Sequence, residues 1–168
     1  MMVIGRTGRC CLLLLLQLKA MEVPINRPFQ VVRPTANHSS MLPVPDGLAR
    51  LASHPSSIAI ISVVGPFHSG KSFLLNALLG DTKVFQIGRK TSPETEGIWL
   101  CRTDMIASDG SEVWLMDSEG FFGPGVAESY DAKIFTIATL LGGHLVYPPC
   151  IPSRPRPCLH VLVRHSQP

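Results

Sequence analysis

The sequence predicts an α/β fold: one domain of three layers, with a mostly parallel sheet between helices. Three observations predict it. Residues 57–64 (SIAIISVV) form a β-branched apolar run, the pattern of a strand buried on both faces. A glycine-bearing turn and a helical stretch, residues 71–79 (KSFLLNALL), follow directly, and Gly80 supplies a stop. A second apolar run, residues 112–117 (EVWLMD), precedes a second helical stretch at 131–141, and this alternation implies parallel strands. The 168 residues have room for one such domain, and 45% apolar against 16% charged residues favours a packed interior over a disordered chain.

The remaining elements follow in chain order. Residues 1–20 carry Arg6 and Arg9, an apolar run at 10–16 and the small Ala20, the order of a secretory signal peptide. The run is shorter than the roughly 20 apolar residues of a spanning helix. A leader would direct the chain to the secretory pathway or endomembranes; the same stretch also suits a misassigned start on a cytoplasmic protein. Residues 29–33 (FQVVR) read as a short edge strand ended by Pro34, and 47–52 as a short helix. Asn37-His38-Ser39 fits a glycosylation sequon. After the second helix, residues 144–147 close the folded part, placed at 21–147. Residues 148–168 hold Pro148, Pro149, Pro152, Pro155, Pro157 and Pro168, which remove backbone donors, so this tail is expected to be disordered and not to continue a sheet. Pro152 and Pro155 also fit a PxxP ligand pattern with arginines nearby.

Charge narrows the function. The net +3 comes from the two ends, which hold six of the fifteen basic residues and no acid; the middle is net acidic. Nucleic acid as a partner is therefore excluded, because its footprint is a clustered basic face. The five cysteines show no CxxC spacing and an odd count, which excludes a zinc ribbon and argues against a disulfide framework.

Gly65-Pro66-Phe67-His68-Ser69-Gly70-Lys71-Ser72 satisfies GxxxxGK[ST] between a buried strand and a helix, the context of a P-loop. Its glycines turn backbone N–H groups toward phosphate oxygens, and the helix N-terminus adds a positive dipole end. Lys71 is placed to reach the β- and γ-phosphates, and the Ser72 hydroxyl to coordinate Mg²⁺. Asp117-Ser118-Glu119-Gly120 ends the second strand as a DxxG: Asp117 is placed to hold a Mg²⁺-bound water, and Gly120 to offer its N–H to the γ-phosphate.

The strings GPFHSGKSFLLNALL, TEGIWL and VWLMDSEGFF, in that order, resemble the guanylate-binding protein and atlastin branch of the dynamin-related large GTPases. The likeness runs from about residue 29 to 147. It implies a P-loop NTPase G domain, truncated after about the second switch helix, that binds GTP with Mg²⁺ and hydrolyses it. It assigns Thr95 as the switch I residue over the γ-phosphate and Mg²⁺. It places His68 where relatives often carry the loop arginine that stabilises transition-state charge; a histidine is only fractionally charged near neutral pH, which implies slower turnover. The family's Arg-Asp pair that reads guanine has no counterpart before the proline-rich tail. The family also implies a G-domain homodimer and membrane association. The competing expectation is a non-catalytic fragment that holds nucleotide or interferes with longer relatives; a different, ATP-using P-loop protein is a third, against which TEGIW and DSEG argue.

Overall fold

In a computed structural model, residues 23–87, 95–123, 126, 128–148 and 160–163 are described, the last four as backbone only. A mixed seven-stranded sheet runs in the order β2-β1-β4-β5-β3-β6-β7. Its strands are β1 (Phe29–Pro34), β2 (Met41–Pro43), β3 (Ile58–Val63), β4 (Ile98–Ile106), β5 (Glu112–Ser118), β6 (His144–Tyr147) and β7 (His160–Val163), and its helices α1 (Pro45–Ala52), α2 (Lys71–Leu79) and α3 (Glu128–Leu141).

The expected parallel arrangement holds at the centre, where β3 pairs in parallel with β5 and with β6. The wings are antiparallel: β4 with β5, β1 with β4, β1 with β2 and β6 with β7. Parallel neighbours need a crossover, and α2 and α3 supply it beside β3; the flanking strands are joined by turns such as Ala107–Ser111, which is closed by Ala107 N–H to Ser111 O at 2.8 Å. β1 is therefore no edge strand, because β2 covers its outer side.

Side chains on successive strand residues point to opposite faces, and the core divides accordingly. Trp114, Met116, Ile60, Ile98 and Leu100 face α3 through Tyr130, Ile134 and Ala138. Leu115, Val63 and Cys101 face the other way and pack with Leu75 of α2 and Phe85. α1 has no side-chain cap but starts with Pro45, whose missing N–H costs nothing in the first turn. Its buried Gly47 sits against β1, where a Cβ would come 2.0 Å from Gln30 O.

The tail departs from expectation at one place. His160–Val163 pairs with β6, from His144↔Val163 to Tyr147↔His160. The prolines that bar a ladder all precede residue 160 or follow 163, and HVLV is free of them and half valine, so it can donate and accept as a strand. The leader at 1–20 and the PxxP segment lie outside the described residues.

Candidate phosphate and cation site

β3 delivers the chain into the loop, with Val64 N–H donating to Val146 O at 3.0 Å. Ser69 N–H turns back to Pro66 O at 3.2 Å, and Leu74 N–H reaches Gly70 O at 2.8 Å to start α2. Gly70 is the N-cap at φ 81, a left-handed conformation with nothing near its missing Cβ, so backbone freedom is what requires glycine. The loop is also clipped to the end of β5. Phe67 N–H donates to Phe121 O at 2.8 Å and Phe121 N–H to Gly65 O at 3.0 Å. Gly120 lies so close beneath that a Cβ would stand 2.5 Å from Phe67 Cα and 3.0 Å from Lys71 Nζ.

Lys71 is buried, and its Nζ donates to Pro66 O at 3.0 Å. Burial lowers its pKa, opposed by the charges of Asp117 and Glu119. The buried lysine is held by one carbonyl, and a lysine ammonium is a compact point charge suited to an anion.

Asp117, the penultimate residue of β5, is fully buried. Its Oδ2 accepts from Ser72 Oγ at 2.7 Å and from Thr95 Oγ1 at 3.2 Å, and the two hydroxyls are 3.5 Å apart. Its Oδ1 is buried with no geometrically aligned hydrogen-bond partner among the described residues, as is Ser69 Oγ in the adjacent loop. Burial pushes Asp117 up to about 6, against the Ser72 hydrogen bond, the Lys71 charge and the Thr95 hydrogen bond. Two hydroxyls and a carboxylate with an orphaned oxygen form a hard, all-oxygen donor set, which fits Mg²⁺, a cation that takes one or two carboxylates and completes its shell with phosphate and water.

The structure thus brings Ser72, Thr95 and Asp117 together, sets Lys71 and Gly120 against the loop, and forms the turn from Gly65, Pro66, Phe67, Ser69 and Gly70. His68 stands apart. It is exposed at φ 60, packs its ring on Phe67 at 3.9 Å between centroids, and makes no hydrogen bond or ion pair among the described residues.

One built part has no forecast in the sequence. Glu119, 1% exposed, accepts at Oε2 from Gly97 N–H and from the Tyr130 hydroxyl, both at 2.8 Å. Its Oε1 lies 3.2 Å from His38 Nδ1, close but off hydrogen-bond alignment. Burial and the bond to Glu119 push the Tyr130 hydroxyl far above its ordinary pKa, which keeps it a donor. Glu119 was visible inside DSEG, but its partners come from 11, 22 and 81 residues away, and no local spacing marks them.

The family model "Guanylate-binding protein, N-terminal domain" matches residues 40–150. Among curated proteins, the chain is 29% identical over 129 residues to human guanylate-binding protein 3, covering 76% of this chain and 21% of that protein. It is 30% identical over 132 residues to human guanylate-binding protein 7 (76% and 20%) and 29% over 132 to mouse guanylate-binding protein 5 (76% and 22%). The chain spans about a fifth of the length of these relatives.

Proposed function

The chain belongs to the guanylate-binding protein family, and from that membership and the cradle's geometry we propose that it binds GTP with Mg²⁺ and hydrolyses the γ-phosphoryl group. The observation that carries this reading is the convergence of Ser72 and Thr95 on Asp117 Oδ2 while Oδ1 is buried without an aligned partner among the described residues. Those three residues would hold Mg²⁺, which when bound neutralises phosphate charge as a Lewis acid. Lys71 adds a second positive charge against the β- and γ-phosphates. Loop N–H groups and the N-terminus of α2 orient the phosphate chain. Gly120, pressed against the loop, lets the end of β5 approach the γ-phosphate side with no side chain in between.

The test is equilibrium binding of fluorescent GTP and ATP to the chain with and without Mg²⁺, followed by phosphate release, with Lys71→Ala as control. Mg²⁺-dependent GTP binding and turnover, both lost in Lys71→Ala, are the expected result. A chain that binds no GTP overturns the reading. A second reading, nucleotide binding without turnover, is favoured by one observation: His68 lies exposed and makes no hydrogen bond or ion pair among the described residues. Binding retained with no phosphate release selects it. The family further suggests a G-domain homodimer and a membrane role, both proposals here; a shift in sedimentation on adding a GTP analogue tests the first, and flotation with vesicles the second.

A further inference from the structure

Three sequence-distant segments meet on one buried carboxylate. Gly97, two residues past Thr95, donates its N–H to Glu119 Oε2. Tyr130 of α3, fully buried, donates to the same oxygen. His38, in the turn between β1 and β2, faces Oε1 at 3.2 Å, and its ring lies edge-on to Tyr130 with centroids 5.5 Å apart. The turn is fastened from a second direction, because Lys133 Nζ donates to Ser39 O at 2.8 Å. His38 itself sits at φ 49, a left-handed conformation uncommon outside glycine but one that histidine adopts more readily than most residues.

We propose that Tyr130 and His38 are positioning residues that act through Glu119 on the Gly97 amide, and so make the β1–β2 turn part of the machinery that sets Thr95 at the cation site. This rests on the reading of the cradle as a GTP and Mg²⁺ site. A carboxylate held by a single amide can rotate away from it; here Oε2 takes two donors from different directions and the His38 ring closes in on Oε1, and together these fix its plane. Once fixed, Glu119 anchors Gly97, and Gly97 at φ 72 packs so tightly that a Cβ would meet Val32 O at 2.1 Å. Only Glu96 separates this anchor from Thr95, whose Oγ1 reaches Asp117 Oδ2 at 3.2 Å. Among the described residues Glu119, Tyr130 and His38 make no hydrogen bond to Ser72, Thr95 or Asp117, so their effect is on placement.

The test uses the full chain. Amide hydrogen exchange of the peptide covering residues 95–100 is measured in wild type, Tyr130→Phe, His38→Ala and His38→Asn, with a β3 peptide as reference, and the Mg²⁺-dependent affinity for fluorescent GTP is measured in the same set. Tyr130→Phe and His38→Ala are expected to speed exchange at Gly97 about tenfold with β3 unchanged, and to weaken Mg²⁺-dependent GTP binding by about tenfold. His38→Asn is expected to behave as wild type, because its amide nitrogen replaces Nδ1 and asparagine tolerates the left-handed backbone. Unchanged Gly97 exchange, acceleration shared equally by β3, or faster Gly97 exchange with unaltered affinity each overturns the proposal while leaving the cradle reading intact. Absence of GTP binding by the wild type overturns the cradle reading, and the proposal with it.

Discussion

Replacing Gly120 with alanine places a methyl carbon 2.5 Å from Phe67 Cα, 2.8 Å from Phe67 N and 3.0 Å from Lys71 Nζ. Two of the three neighbours are backbone, so no rotamer change relieves the clash. Carbon atoms rest at about 3.5–4.0 Å, and the loop and the end of β5 must part by roughly 1 Å. That separation stretches the Phe67 N–H to Phe121 O and Phe121 N–H to Gly65 O bonds, now 2.8 and 3.0 Å. Overpacking costs about 1–3 kcal/mol and each hydrogen bond about 1 kcal/mol net, so a loss of about 3 kcal/mol is expected. For a chain of this size that lowers Tm by about 6–12 °C. Differential scanning calorimetry reads the shift, and fluorescent GTP binding reads the displaced loop. A Gly120→Ala chain that melts within a degree or so of wild type and binds GTP with the same affinity would refute the close approach on which the site's construction depends.

Other consequences are as direct. Asn76 holds the segment after α2 by accepting from Phe85 N–H at 2.8 Å and donating to Phe85 O at 2.9 Å; Asn76→Ala leaves a buried N–H unpaired and is expected to lower stability by about 2–3 kcal/mol in urea denaturation. The Arg102 guanidinium holds Glu112 well below the usual carboxylate range, at about 2, with His54 3.1 Å away. A depressed carboxylate contributes stability above its unfolded pKa near 4.5 and loses it as pH falls toward 2. The urea midpoint of the wild type should therefore fall across that window more steeply than that of Glu112→Gln. Burial pushes the Cys101 thiol up to about 12, so peptide-resolved alkylation at pH 8 should leave Cys101 unmodified until the chain is denatured.

Elements whose cause is local are legible in the sequence. α2 begins at Lys71 and ends at Leu79, where Gly80 at φ 65 closes it as the sequence pattern implies. β3 and β5 match their apolar runs to within a residue of each end, because strands buried on both faces need no alternation to declare themselves. β4 is a different case. Its sequence IWLCRTDMI mixes polar residues into the apolar set, and the first part reads most clearly as a motif. Arg102 within it donates to Glu112 and to Val23 O, and Thr103 donates to Val113 O, so these polar side chains are satisfied by partners that only the folded sheet brings near. That satisfaction removes the penalty that would otherwise bar them from the strand.

The same distinction divides the site. The loop from Gly65 to Ser72 is contiguous, the role proposed for it resides largely in backbone geometry, and eight consecutive residue types suffice to announce it. Two of the proposed cation donors, Ser72 and Asp117, sit at junctions, the loop-to-α2 boundary and the end of β5, and are readable because a helix start or a strand end marks each; Thr95 lies before β4 and is legible only through the family resemblance. Glu119 has no such marker. Its value to the fold comes from being surrounded, by Gly97, Tyr130 and His38, and a buried carboxylate without those partners would be strongly unfavourable. A glutamate next to a glycine in a turn ordinarily reads as solvated, so the sequence gives no reason to place it inside. The burial is decided by β1, α3 and the segment before β4 arriving together, which is why the β1–β2 turn, remote in sequence from the phosphate loop, is fastened to the same carboxylate as the Thr95 segment.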